Sequence, residues 1–184
     1  MKDHVCPWWF AYTFDNPLRT LFHKPEIMFA PYVKEGMTVA DIGCGLGYFS
    51  IGLAKMVKGN GKVIAVDLQD KMLEKMEKRA GRKGVGEIIH PIQCNENDIG
   101  VAEPLDFALT FWMAHEVPDV GRLFGQIHAA IKPGGLFFIT EPRFHVSADE
   151  YREELEKAAK VGFAFKEEPL VKFSYAAVLQ KSAD

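Results

Sequence analysis

The chain is predicted to fold as an α/β protein: a doubly wound, mostly parallel sheet of seven strands, closed by an antiparallel C-terminal hairpin. Three observations predict it. Short apolar, β-prone runs alternate five times with stretches of helical periodicity. The first such run, TVADI, passes through a cluster of glycines into a helical pattern. Beyond Gly162 the pattern changes in kind, because FAFKEE and VKFSYAAVLQ alternate apolar and polar residues around Pro169, as a pair at a sheet edge does.

The elements follow in order. Residues 38–42 form the first strand, ending at Gly43, and residues 47–58 carry apolar positions at helical spacing up to Gly59. KVIAVD (62–67) is the second strand. Asp70 then opens a helix with Met72, Leu73 and Met76 on one face and Lys71, Glu74, Lys75 and Lys78 elsewhere. IIHPIQC (88–94) and LDFALTF (105–111) are the third and fourth strands. A helix runs from Asp119, an N-cap type of residue, through Leu123, Phe124, Ile127 and Ile131, and Pro133-Gly134-Gly135 is expected to stop it. GLFFIT (135–140) is a fifth strand buried on both faces. The next helix, 147–160, is capped by Ser147 with acidic residues in its first turn.

With 184 residues, 48% of them hydrophobic and 26% charged, the chain has the composition of one soluble globular unit. A net charge of -3 gives no broad positive field for a phosphate backbone, so nucleic acid is not expected as a partner. The short cluster Arg79, Arg82 and Lys83 is a solvated helix end flanked by glycines. Cys6, Cys44 and Cys94 are far apart and odd in number, which argues against a disulfide framework and for a reducing cytoplasm. Neither a signal peptide nor a membrane-spanning run of ~18 to 20 apolar residues is expected.

In a doubly wound sheet, ligands bind beyond the carboxyl ends of the strands, where strand order reverses. The first such position is DIGCGLGYF, with glycines at 43, 45 and 47 that let backbone approach a ligand closely. A dinucleotide fingerprint needs GxGxxG, and Tyr48 holds its third glycine position. Asp41 beside the loop repels a pyrophosphate and attracts a sulfonium or ammonium group, so the loop suits a nucleoside that carries a cation. Asp67 ends the second strand, where a carboxylate accepts hydrogen bonds from both hydroxyls of a ribose, and Leu68 beside it can cover an adenine face. Plainer roles compete: Asp41 as a helix N-cap, Asp67 as a turn former, Leu68 as core, and Cys44 as a small packed hydrophobe.

Through VADIGCGLGYFS, VIAVD, IQCNEND and IKPGGLFFITEP, in order and spacing from Thr38 to Gln180, the chain resembles the class I S-adenosylmethionine-dependent methyltransferases of the small-molecule, type 11 kind, whose fold is Rossmann-like. The resemblance implies that residues 38–184 bind S-adenosylmethionine and release S-adenosylhomocysteine, with 1–37 as an aromatic amino-terminal lid or helical segment. It implies that Asp41, Gly43, Cys44, Gly45 and Gly47 hold the methionine part, that Asp67 holds the ribose, and that Phe111 closes the cofactor side. Asn95 and Glu96 lie where the family contacts adenine. Asn95 departs from the commoner Asp, its side-chain oxygen can still accept from the amino group, and Glu96 and Asp98 are alternative partners.

Methyl transfer from a sulfonium is an in-line displacement that needs alignment and desolvation but no covalent residue. A base helps when the acceptor carries a proton at neutral pH. The candidate bases are His115 and Glu116 after the fourth strand and Glu141 and His145 after the fifth, two segments expected to converge on one pocket, where Trp112 and Arg143 contact the acceptor. Either histidine can instead be structural, and Glu141 can be tied to Arg143. Imidazole and carboxylate suit zinc, iron or nickel, so His115, Glu116 and His145 are chemically able to bind a metal, but none is expected, since the sequence does not give the spacing between the two segments. The fourth strand reads Thr110-Phe111-Trp112-Met113, which lacks the Asn/Asp-Pro-Pro-Tyr segment of enzymes that methylate bases or glutamine, and the cysteines do not match an arsenite methyltransferase.

Trp8, Trp9 and Tyr12, with Phe10 and Phe14, can wall the acceptor and offer π-faces to a sulfonium, pack as an amphipathic helix, or touch a membrane without inserting stably. A small-molecule acceptor and a monomer or homodimer are expected. The alternatives are a catalytically silent protein that binds the cofactor as a sensor or partner subunit, and a nicotinamide-dependent oxidoreductase, which Tyr48 disfavours.

Overall fold

The computed structural model describes residues 19–183. Two short helices, α1 (Arg19–Phe22) and α2 (Pro25–Met28), lead to β1 (Thr38–Ile42), α3 (Tyr48–Val57), β2 (Lys62–Asp67), α4 (Asp70–Arg82), β3 (Ile89–Gln93) and β4 (Leu105–Phe111). Then come α5 (Val120–Ala130), β5 (Ile131–Pro142), α6 (Ala148–Lys160), β6 (Phe163–Glu167) and β7 (Ser174–Lys181). The strands form one seven-stranded sheet in the order β3-β2-β1-β4-β5-β7-β6. β1 to β5 are parallel and β7 is antiparallel to both β5 and β6, so the predicted fold class is the observed one.

The period of two along each strand explains the layers. Val39, Val63, Ala65, Phe107, Leu109 and Phe138 face a core shared with α3 and α4, while Ala40, Ile42, Ile64, Val66, Phe137 and Ile139 face a second core under α5 and α6. Phe29, fully buried just after α2, plugs the first core, with its ring 5.7 Å from Phe49, 5.8 Å from Phe107 and 5.2 Å from Phe138. Residues 19–37 therefore supply core as well as rim. No helix among the described residues is long and apolar enough to cross a membrane.

Two boundaries differ from the sequence expectation. Pro133-Gly134-Gly135 does not separate α5 from the fifth strand; it lies inside β5, which starts at Ile131. Ile131 pairs with Leu105, the register shifts, and pairing resumes at Leu136–Phe107, so the three residues form an irregularity at a point where β7 has not yet joined the other side. β7 begins at Ser174 rather than in the VKF run, because Phe173 has a φ of 63° and turns the chain. The cap at Ser147 is as expected: its hydroxyl accepts from the Glu150 N–H and the Glu150 carboxylate accepts from the Ser147 N–H.

Candidate active site

Strand order reverses between β1 and β4, and the segments after β1, β2, β4 and β5 converge at that end of the sheet. The loop after β1 turns through Gly43, Gly45 and Gly47 at φ of 75°, 53° and 76°. At Gly47 an added Cβ would meet Met76 Cγ at 2.3 Å, so α3 can approach α4 only without a side chain there. At Gly45 an added Cβ would meet nothing within 4 Å, leaving bare backbone in front of open space.

Two carboxylates bracket this loop. Asp41 is buried on the α3 face and accepts the Ser50 hydroxyl at 2.5 Å. It is not the helix cap, a place taken by Gly47. Burial raises its value to about 6, against the lowering effects of Ser50 and the nearby Arg19 charge. Asp67 accepts the Gly45 N–H at 2.8 Å on one oxygen and the Gln69 N–H at 2.9 Å on the other, so it turns its own strand end and also ties down the glycine loop. Burial raises its value too, opposed by those backbone donors. Cys44 is a packed hydrophobe, its thiol pushed well up by burial and by the Asp41 and Asp67 charges.

Beside the loop stands an aromatic box. The Arg19 guanidinium lies 4.8 Å from the Phe49 ring, 5.1 Å from Tyr48, 5.2 Å from Phe111 and 5.6 Å from Trp112. A cation thus already sits among aromatic faces next to Asp41. Leu68 is half-buried beyond Asp67. Asn95 and Glu96 are exposed, and the Asn95 side-chain oxygen accepts the Asn97 N–H, which leaves it one further lone pair.

A histidine–carboxylate pair joins the segment after β4 to the end of β5. Glu141, fully buried near the end of β5, accepts the Ala114 N–H at 2.9 Å on one oxygen and is hydrogen-bonded to His115 Nδ1 through the other. Burial alone would lower the His115 value, but the Glu141 hydrogen bond and the charges of Glu141, Glu116 and Glu154 outweigh it and hold the imidazole above 6.5. The His145 ring packs 4.9 Å from His115. Arg143 is not paired with Glu141; its Nε donates to the Ser174 carbonyl and its guanidinium covers Tyr175 at 4.7 Å.

Trp112 follows β4 directly. It has a φ of 59°, which a non-glycine residue rarely adopts, with its N–H on the Thr140 carbonyl and its indole N–H on the Ser174 hydroxyl, both at 2.8 Å. Phe144, largely exposed, stands edge-on to it at 5.4 Å. Trp8, Trp9 and Tyr12 lie outside the described residues. No group of three or more His, Cys, Asp or Glu among the described residues is arranged to hold a metal ion.

Sequence reasoning overlooked Arg19, in a segment with no strand to orient it, and Glu154. The signal for Glu154 was the spacing Tyr151, Glu154, Ala158, which is the inward stripe of α6.

Residues 33–175 match the family described as methyltransferase domain. The chain is 32% identical over 134 residues to phosphoethanolamine N-methyltransferase 1 of Triticum aestivum, covering 71% of this chain and 26% of that protein. It is 30% identical over 133 residues to the ubiquinone biosynthesis O-methyltransferase of Caulobacter vibrioides, covering 67% and 51%. The chain therefore spans about a quarter to a half of the length of these curated relatives. Its fold is that of a SAM dependent methyltransferase from Aquifex aeolicus, with a TM-score of 0.86 and 22% identity, covering 96% of this chain and 99% of that one.

Proposed function

Because this chain belongs to the class I S-adenosylmethionine-dependent methyltransferases, we propose that it moves a methyl group from that donor to a hydroxyl of a small-molecule acceptor, with His115 as the base. The observation that carries the reading is the buried Glu141–His115 pair on strand ends next to the glycine loop. When bound, S-adenosylmethionine supplies a methyl group on a positively charged sulfur. The residues present fit that group: two carboxylates flank the loop, bare backbone at Gly45 faces open space, and the aromatic faces beside Asp41 already carry one cation, the Arg19 guanidinium.

In this reading Asp41 and the backbone of Gly43, Cys44, Gly45 and Gly47 hold the methionine part. Asp67, at the end of β2, accepts from the ribose hydroxyls. Leu68 covers the adenine, Asn95 and Glu96 flank its amino group, and Phe111 closes that side. Trp112 and Arg143 wall the acceptor, joined by Trp8, Trp9 and Tyr12 from the amino-terminal segment. His115 holds its Nδ1 proton against Glu141, which keeps Nε2 available to take the acceptor's proton. Glu116 adds negative charge, and His145 packs the imidazole in place. A base helps where the acceptor must lose a proton at neutral pH, as a hydroxyl does on attack. A relative named as an O-methyltransferase of ubiquinone biosynthesis supports the same choice.

The test is methyl-labelled donor with a panel of small phenols, catechols, amines and thiols. Label is expected on hydroxyl-bearing compounds. The base must be neutral, so kcat/KM falls as pH drops through the His115 value, and that acid limb lies above 6.5 because the value is raised. Transfer confined to amines, or a rate flat through that range, would count against the reading.

A further inference from the structure

Glu154 has no part in the reaction as described, yet its surroundings are those of a functional group. It sits on the inward stripe of α6 between Tyr151 and Ala158 and is 6% exposed. One of its carboxylate oxygens is enclosed without a hydrogen-bond partner among the described residues, and so is the Tyr151 hydroxyl. A buried carboxyl with an unmet oxygen costs stability, so such a group is an anomaly on a packing face.

The sheet shows what it faces. Glu141 has the parity of Phe137 and Ile139, which places it on the side covered by α5 and α6. It pairs across β5 and β7 with Tyr175, whose ring stacks on Tyr151 at 5.2 Å and 17°. The face of α6 that carries Tyr151 and Glu154 therefore lies over Glu141, which in turn holds His115. We propose that Glu154 is a positioning residue that completes the Glu141–His115 pair as a three-member proton unit, giving up its own proton when His115 gains one.

The reason is charge conservation in a buried place. With His115 neutral, Glu141 is the carboxylate and Glu154 the acid. When the acceptor's hydroxyl proton moves to His115 Nε2, the new imidazolium favours the carboxylate form of Glu154, whose proton leaves to bulk water. The net charge of the unit is the same before and after, so no uncompensated charge is created under α6. Burial first and the Glu141 charge second raise the Glu154 value to about 8, with Glu150 adding to the rise; His115 and Lys157 pull the other way. Tyr151 is raised by burial and by Glu154, Glu168 and Glu141, so it stays a phenol throughout.

The proposal rests on His115 being the base, but its test needs no acceptor. The His115 imidazole is followed by NMR against pH in the parent, Glu154→Gln and Glu154→Asp. Removing a carboxylate that raises the imidazole value should lower the His115 midpoint by about half a unit or more in Glu154→Gln, with most of it restored in Glu154→Asp. An identical midpoint in folded Glu154→Gln overturns the proposal. If Glu154→Gln does not fold, the Glu154 carboxyl carbon is titrated in His115→Gln, where loss of the imidazolium should move its midpoint upward, and an unmoved midpoint overturns it. An inactive parent with coupled midpoints would instead remove His115 as base and leave the coupling standing.

Discussion

Replacing His115 with Ala slows methyl transfer by about 10²-fold or more. Donor affinity is expected to stay within about twofold, since the His115 imidazole is bonded to Glu141 while the glycine loop is held by Asp67. The reason for the size is that Glu141 is spent on this histidine and its neighbour's N–H, a buried carboxylate that would otherwise cost stability. Structure maintained at such cost points to a group whose protonation matters. The check is kcat beside donor affinity by calorimetry: full-rate turnover in a folded His115→Ala protein would make the histidine structural.

Asp67→Ala should weaken donor binding by ~1 to 3 kcal/mol, roughly 5- to 150-fold, by leaving ribose hydroxyls without their acceptor. The same change frees the Gly45 and Gln69 N–H groups, so the loop loses its tie to β2 as well. Asp67→Asn separates the two effects, because its side-chain oxygen can still accept one of those N–H bonds while the charge is gone. Calorimetric titration with S-adenosylhomocysteine reads both variants, and an affinity unchanged in Asp67→Ala would remove this residue from the site.

Much of the fold was legible because the parallel strands are buried on both faces. TVADI and KVIAVD are short apolar runs bounded by glycine or an acidic residue, and LDFALTF starts after Pro104, so their limits follow from that contrast. β5 was less legible: Pro133 and the glycines after it usually end an element, and here they form a bulge between two paired stretches of one strand. The glycine loop and its two carboxylates were legible because their spacing is local, within one strand-turn-helix unit and the end of the next strand. The convergence of the segments after β4 and β5 was legible from their places at strand ends, but the bond between Glu141 and His115 was not, since 26 residues separate the partners and Glu141 had equal claims on Arg143 or a neighbouring loop. Glu154 was hidden for a related reason. In a helix rich in exposed Glu and Lys its inward position is one charge among many until the sheet beneath it is known.

The proposed function depends on the loops after β1 and β2 being a site for a nucleoside that carries a cation. The most direct test is calorimetric titration of the protein with S-adenosylmethionine and S-adenosylhomocysteine, with NADH alongside. Micromolar binding of the first two and none of NADH is the expected result; binding of NADH with none of S-adenosylmethionine would contradict it and return the glycine loop to a nicotinamide cofactor.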